Sequence, residues 1–117
     1  MHLANVTTDC DDPLAVSAFW AAALDRKVDD DASEFFASID RHDNSRISMF
    51  FIKVPEPKST KNRMHLDLHS DDREAAVEHL VSLGATRLAD HDEWGVRWTT
   101  LADVEGNEFC VASGNPF

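Results

Sequence analysis

The sequence is poor in the residues on which most catalytic and metal-binding motifs depend. It has four glycines, none grouped into a phosphate-binding loop, and it contains no GxSxG or HExxH motif. Its two cysteines, Cys10 and Cys110, lack the CxxC spacing of zinc knuckles and redox pairs. We therefore expect two free thiols in a reducing compartment and none of the common hydrolase, P-loop or zinc-finger sites.

Long apolar runs and basic residues are also scarce. No segment approaches the roughly 18 apolar residues of a membrane helix, and the first residues lack the order of a secretory signal. Eleven Lys and Arg stand against 22 Asp and Glu, which gives a net charge of −11. Such a field repels nucleic acid and anionic lipid. We therefore expect a cytoplasmic protein that binds neither nucleic acid nor membranes.

What the sequence does contain is one pattern that occurs twice, about 60 residues apart. Residues 11–13 (Asp-Asp-Pro) and 71–73 (Asp-Asp-Arg) each open a helical pattern, and Ala15 falls on Ala75. Each helix follows one strand-like run and precedes three short β-like segments. The pattern predicts an α+β fold in which two βαβββ modules pair their curved sheets around a cleft.

The repeat also sets the expected domain organisation. We predict a single domain over residues 1–117, with halves at about 1–54 and 63–117 and a Pro- and Lys-containing linker at 55–62. The predicted strands are 3–8, 34–40 and 46–54 in the first half, and 63–69, 85–89, 94–101 and 107–112 in the second.

The segment 63–69 carries the strongest chemical signal. Its side chains alternate between an apolar face (Met64, Leu66, Leu68) and a polar face (Arg63, His65, Asp67, His69). A half-buried strand with one face exposed to water explains this alternation. So does a cleft wall on which Asp67 orients His65, the candidate catalytic residue. The residues alone leave both interpretations open.

Two tryptophans form the second signal. Trp94 and Trp98 are four residues apart in a predicted strand, so they share a face with Val96 between them. Such a face can stack a flat organic ligand, or it can simply pack in the core, as large aromatic side chains commonly do. Phe19 and Trp20, on the first predicted helix, are expected in the core.

The order of elements, together with two sequence pieces, resembles the vicinal oxygen chelate (VOC) superfamily and its glyoxalase-like branch. The pieces are Arg-Met-His-Leu-Asp-Leu at 63–68 and Asp-Val-Glu-Gly-Asn-Glu-Phe at 103–109. The resemblance covers essentially the whole chain. It implies the glyoxalase/bleomycin resistance/dioxygenase fold, a small-molecule ligand, and a homodimer, as is common among the small members.

The resemblance also implies where a metal would be held. Enzymes of this superfamily typically bind a divalent ion through four His, Glu or Gln side chains from the first and fourth strands of each half. Those positions hold Asn5, Phe50, His65 and Cys110 here. Because His65 is the one strong ligand among them, we predict no bound metal and no other cofactor. The residues that could complete a metal site instead are Glu34, Asp67, His69 and Glu108.

The residues and the resemblance together predict a glyoxalase-like protein that binds a small organic molecule in a cleft, without the full metal site. The expected ligand-binding residues are Asn5, Phe50, His65, Asp67, Trp94, Trp98 and Cys110. His65 could also run metal-free acid–base chemistry. Two alternatives stay open: a metal-dependent lyase, isomerase or dioxygenase of the same superfamily, and a non-catalytic interaction module whose cleft is filled by its own aromatic side chains.

Overall fold

The structure is a computed structural model that describes residues 1–114, and the chain divides into two compact units. The first unit is Met1–Lys58 and the second begins at Ser59. Each has one helix and one small mixed sheet, which confirms the predicted α+β class. That the two units form a single domain around a linker at 55–62 stays a prediction.

The elements occur in the same order in both units. The first unit contains β1 (Asn5–Cys10), α1 (Pro13–Ala23), β2 (Phe36–Ile39) and β3 (Ser48–Lys53). The second contains β4 (Asp67–His69), α2 (Arg73–Ser82), β5 (Thr86–Glu93), β6 (Val96–Ala102) and β7 (Glu108–Ser113).

The sheets of the two units share one topology. The strand orders are β1-β3-β2 and β4-β7-β6-β5. In each, the first strand pairs parallel with the last, and the last pairs antiparallel with the strand before it. The register repeats as well, because Thr7 lies opposite Phe50 and Asp67 lies opposite Cys110. Each member of the second pair is 60 residues beyond its counterpart, so the offset read from the sequence is confirmed across the sheet.

The units differ in the number of strands after the helix. Three strands come after α2, whereas two come after α1, and Val28 joins Ile39 through an isolated antiparallel bridge where the repeat predicts a further strand. The segment around Val28 is rich in aspartate, which is depleted in strands and favours turns. Asp29 bends the chain locally, because its carboxylate accepts hydrogen bonds from Ser38 Oγ (2.6 Å) and from the backbone N–H of Arg41 (3.1 Å).

Both helices begin where the repeated aspartates predict. The carboxylates of Asp12 and Asp72 accept from the backbone N–H groups of Ala15 and Ala75, each at 3.1 Å. This satisfies a backbone donor that the first helical turn would otherwise leave unpaired. Within residues 1–114, none of the helices has the length and apolarity required to cross a membrane.

Each helix covers one face of its own sheet. In the first unit, Val16, Phe19 and Trp20 of α1 are buried together with Ile39 and Phe51 of the sheet. The prediction that Phe19 and Trp20 belong to the core is confirmed. In the second unit the buried set is Val77, Leu80, Leu101, Phe109 and Val111. The opposite face of the second sheet is where the candidate site lies.

The β5–β6 hairpin corrects the predicted strand at 94–101. Strand β5 ends at Glu93 and β6 begins at Val96, so Trp94 and Gly95 form a two-residue turn. Both have positive φ (53° and 75°), as a type I′ turn requires, and glycine is favoured at its second position. Trp94 therefore lies in the turn, and its relative exposure is 87%.

The strand predicted at 63–69 is shorter than expected. Only Asp67–His69 pairs as β4, and Met64, which was assigned to the apolar face of the predicted strand, is 81% exposed. Alternation beyond the paired residues carries no packing information, because no neighbouring strand holds residues 63–65 in the pleat.

Candidate functional site

Strand alternation separates two faces in the sheet of the second unit. Phe109 and Val111 are each 1% exposed, on the face that α2 covers. Cys110, between them, points to the other face. Its neighbours across the sheet are Asp67 on β4 and Thr100 on β6, so these three side chains lie side by side on the uncovered face.

A pocket of about 870 Å³ opens on this uncovered face. The segment leading into β4, with β4 itself, contributes His65, Asp67 and His69, the centre of the sheet contributes Cys110, and the β5–β6 hairpin contributes Trp94 and Trp98. Its volume is within the range of small-molecule sites. The structure thus brings together five of the seven predicted ligand-binding residues, all within the second unit.

One wall of the pocket is a stack of three aromatic rings. Trp98 is stacked with His91, at a centroid distance of 4.8 Å and an interplanar angle of 18°, and with Trp94, at 6.2 Å and 12°. His91 and Trp98 face each other across the β5–β6 ladder, and the turn folds Trp94 onto the same face. Sequence reasoning missed His91. The Trp-Gly pair was the available signal, because a two-residue turn there sets the register that places His91 opposite Trp98.

The side of the pocket near β4 and β7 carries three polar side chains in close proximity. Asp67 Oδ1 accepts a hydrogen bond from His65 Nδ1 at 2.8 Å. A ring nitrogen of His65, a carboxylate oxygen of Asp67 and Sγ of Cys110 all lie within 4.8 Å of one another. Because an ionised carboxylate only accepts, Nδ1 of His65 carries the proton, and Nε2 of the neutral ring keeps a lone pair.

Burial raises the pKa of the Cys110 thiol, and the negative charge of Asp67 raises it further. The hydrogen bond with Thr100 Oγ1, at 3.6 Å, and the charge of Lys61 act in the opposite direction but are outweighed. Cys110 is therefore a protonated thiol near neutral pH.

The four metal positions implied by the superfamily do not make a fitting donor set. In the first unit, Phe50 has no donor atom and Nδ2 of Asn5 donates to Thr7 Oγ1 at 2.8 Å. In the second unit, the Nδ1 proton of His65 is held by Asp67, and the raised pKa of Cys110 disfavours the thiolate that a metal binds. We therefore assign no chemical step to a metal.

The residues that could have completed a metal site have other contacts. Glu108 Oε2 accepts from the backbone N–H of Asn62 at 3.0 Å, and His69 Nε2 donates to the carbonyl of Gly114 at 2.7 Å. Glu34 is an exposed residue of the first unit. Of the four, only Asp67 lies beside His65, and there it acts as its hydrogen-bond acceptor.

Asn5 and Phe50 lie in the first unit and line a different concavity of about 760 Å³, together with Arg41 and Arg46. Both arginines are paired with carboxylates, Arg41 with Asp31 and Arg46 with Asp40 and Asp43. That Asn5 and Phe50 share one concavity with His65 and Cys110 stays a prediction.

Comparison of the sequence with family models gives one match, described as a glyoxalase-like domain, over residues 5–112. The match extends from the first residue of β1 into β7 and so includes residues of both units. The sequence matches no curated protein.

Solved structures with the same fold come from the superfamily that the sequence resembles. A glyoxalase/bleomycin resistance protein/dioxygenase family enzyme from Burkholderia phytofirmans is 21% identical with a TM-score of 0.77, covering 97% of this chain and 98% of that chain. The fosfomycin resistance protein of Mesorhizobium loti is 14% identical with a TM-score of 0.72, covering 98% and 93%.

A third structure is a mutant of the fosfomycin resistance protein from Listeria monocytogenes. It is complexed with Mn(II) and 1S,2S-dihydroxypropylphosphonic acid. It is 11% identical with a TM-score of 0.78, covering 98% of this chain and 91% of that chain. At these identities the likeness establishes the fold alone.

Proposed function

The chain belongs to the glyoxalase-like domain family, and from that premise we propose that it binds a small planar organic molecule in the pocket of its second unit. The observation that supports this most is the aromatic stack of His91, Trp98 and Trp94 along one wall. A flat ring system extends such a stack without a change in the protein.

The exposure of Trp94 supports a ligand in this position. Trp94 lies in the two-residue turn with its ring stacked on Trp98, and it is 87% exposed. Covering about 100 Å² of an indole face stabilises a complex by about 2–3 kcal/mol.

The polar wall defines the rest of the ligand. His65 and Asp67 form a hydrogen-bonded pair whose side chains are 40% and 67% exposed, so both can still contact a bound molecule. A planar ligand with one polar group at its end matches a pocket that has aromatic rings at one end and polar groups at the other.

Tryptophan fluorescence provides the test. Trp94 and Trp98 report on the pocket, whereas Trp20 is 3% exposed in the first unit and contributes a constant background. In titrations against a panel of planar metabolites and antibiotics, we expect at least one saturable change. His65→Ala and Trp98→Ala should each weaken that binding by about 1–3 kcal/mol.

The control is His79→Ala, an exposed histidine of α2 that lies outside the pocket. It should bind like the unchanged protein. Hits that bind both pocket variants with undiminished affinity contradict the proposal. They favour instead an interaction module whose aromatic side chains serve only packing.

The proposal extends to the assembly and the location of the protein. We propose a homodimer in the cytoplasm, on the basis of the superfamily resemblance and of the acidic, motif-poor composition. Sedimentation equilibrium tests the first point, and a monomer mass at micromolar concentration contradicts it. Fractionation of cells that express the full chain tests the second.

A further inference from the structure

We propose that Cys110 is a reactive thiol, with His65 as its base and Asp67 as the residue that positions this base, and that it bonds covalently to conjugated carbonyl compounds in the pocket. The proposal concerns the same pocket as the proposed function and rests on ligand access to it.

The fold places the three groups together for reasons independent of any ligand. Cys110 and Asp67 are partners across the parallel β7–β4 pair, and His65 precedes Asp67 by two residues. The carboxylate of Asp67 accepts from Nδ1 of His65 at 2.8 Å, and Sγ of Cys110 lies within 4.8 Å of a carboxylate oxygen of Asp67 and of one ring nitrogen of His65. Nucleophile, base and orienting acid in this order are the parts of an activated-nucleophile site.

The thiol requires such a base. Burial raises the pKa of Cys110, so the thiolate is scarce at neutral pH, and the thiolate is the nucleophile. A neutral His65 with its lone pair on Nε2 can accept the sulfur proton as the new bond forms. For this transfer Nε2 of His65 and Sγ of Cys110 have to approach to about 3–3.5 Å, and such contacts commonly tighten when a ligand binds. His65 precedes the first paired residue of β4, so its side chain can make this adjustment.

The two cysteines of the chain differ in exposure, so the reactivity of Cys110 can be compared with that of Cys10. Cys10 is 4% exposed, and its Sγ donates to the carbonyl of Ile52. Cys110 lines the pocket and is only partly buried. Neither cysteine forms a disulfide. One chain therefore holds a reference thiol and a candidate nucleophile.

The aromatic wall favours a conjugated electrophile. Trp98 is opposite Ala112, one diagonal step from the Thr100–Cys110 pair on the same face. Diagonal neighbours are about 7–8 Å apart, so a ring stacked on Trp98 can hold an attached alkene on the same face as Cys110. A molecule such as 4-phenylbut-3-en-2-one can stack its ring on Trp98 and present its alkene to Sγ.

The addition is balanced without any further reagent. The S–C bond forms at the β-carbon of the enone, and the C=C π pair moves into the enolate. The proton of the thiol passes to Nε2 of His65 and from there to the α-carbon. No group is oxidised or reduced overall, and the imidazole is neutral again at the end.

The first test measures the alkylation rates of both cysteines of the full chain with iodoacetamide, by peptide mass mapping. In the native protein Cys110 should react at least about tenfold faster than Cys10, and in urea the two rates should converge. His65→Ala should slow Cys110 by about tenfold or more, whereas His79→Ala should not. An unchanged rate at Cys110 in His65→Ala overturns the proposal.

Asp67→Asn separates positioning from a plain effect of charge. The Asp67 charge raises the thiol pKa, so its loss alone would speed alkylation of Cys110. If Asp67 instead holds His65 in place, Asp67→Asn slows it. A faster Asp67→Asn variant overturns the positioning role. Circular dichroism spectra matching those of the unchanged chain make these rates comparable between variants.

The second test uses 4-phenylbut-3-en-2-one itself. We expect one adduct per chain at Cys110, lost in Cys110→Ser and slowed at least about fivefold in Trp98→Ala, whereas His79→Ala, outside the pocket, should react like the unchanged chain. If Trp98→Ala reacts with the enone as fast as the unchanged chain, the proposed stacking on Trp98 is wrong, whereas the proposal of a reactive thiol is unaffected. Protection of Cys110 by one equivalent of Zn²⁺, lost in His65→Ala, overturns the thiol site in favour of a metal site.

Discussion

The two units have the same backbone plan but different chemistry on the uncovered sheet face. Position for position, Thr7 and Phe50 in the first unit correspond to Asp67 and Cys110 in the second. Phe50 makes an edge-to-face contact with Phe36 at 5.3 Å, where the second unit has a thiol beside a carboxylate. Register and topology are therefore the same in the two halves of the repeat, whereas the side chains on the uncovered face differ.

The aromatic wall depends on the strand that the first unit lacks. His91 lies on β5, and Trp94 and Trp98 follow in the turn and in β6. Within the described residues, the first unit has only the Val28–Ile39 bridge in place of β5. An aspartate-rich segment that does not form a strand cannot present such a stack, so the candidate site belongs to the second unit for a reason of local structure.

The largest expected effect comes from the buried position that the repeat shares. Phe51 is 0% exposed, and its counterpart 60 residues later is Val111, at 1%. Phe51→Ala should lower the free energy of unfolding by about 3–5 kcal/mol, because it removes a large side chain from a closed core. Val111→Ala should cost less, since fewer atoms are lost. Urea unfolding measures both, and Phe50→Ala, on the uncovered face, is the control that should cost least.

A smaller effect is expected at the ends of the helices. Gly84 (φ +115°) and Asp25 (φ 53°) take the same position after α2 and α1, each with positive φ. Gly84→Ala should destabilise by about 1–3 kcal/mol, because its Cβ would lie 2.9 Å from Cγ1 of Val104 in addition to the backbone strain. Asp25→Gly should be neutral or stabilising, since glycine adopts positive φ without strain. Thermal unfolding of both variants measures the two effects. An equal loss of stability in Gly84→Ala and Asp25→Gly would contradict the shared positive-φ geometry.

A cluster of ion pairs between α2 and β5 should make the stability of the protein sensitive to acid. Arg87 donates hydrogen bonds to the carboxylates of Glu74 and Asp90. Its contact lowers the pKa of Glu74. The pKa of Asp90 is lowered mainly by the hydroxyl of Thr99 and secondly by Arg87. Lowered pKa values mean that this stabilisation is complete above the ordinary values of 4.5 and 3.8 and is lost as the pH falls through the folded-state values.

Arg87→Gln should therefore reduce stability at pH 7 and converge with the unchanged protein as the pH falls below the ordinary values of both carboxyl groups. The control is Arg97→Gln, which removes an exposed pair with Asp92 on the same hairpin. Urea midpoints between pH 7 and pH 2 provide the measurement. A gap for Arg87→Gln that stays constant with pH would assign the loss to packing of the long side chain.

The smallest expected effect is the response to metal. Because the four superfamily positions do not make a fitting donor set, protein purified without chelator should contain far less than one Zn, Ni, Mn or Fe per chain, and chelation should leave its unfolding temperature unchanged. Elemental analysis that finds about one metal per chain, lost in His65→Ala, would favour the metal-dependent alternative.

Local signals in the sequence predicted the parts of this structure that depend on near neighbours. Asp12 and Asp72 start helices because a cap needs only the N–H three residues ahead, and both were evident from the repeat. Phe19 and Trp20 were assigned to the core on helical spacing and are buried. The superfamily resemblance added the fold and named His65 and Cys110 as positions of one site.

Tertiary structure decided the contacts that depend on register between distant segments. Asp67 meets Cys110, 43 residues later in the chain, because β4 and β7 pair at that register. His91 lies opposite Trp98 because the turn between β5 and β6 consists of two residues, Trp94 and Gly95. The strand predicted from Trp94 onwards did not contain this turn. A shift of one residue turns every side chain to the other face, so alternation in one strand cannot say which residue of another strand it meets.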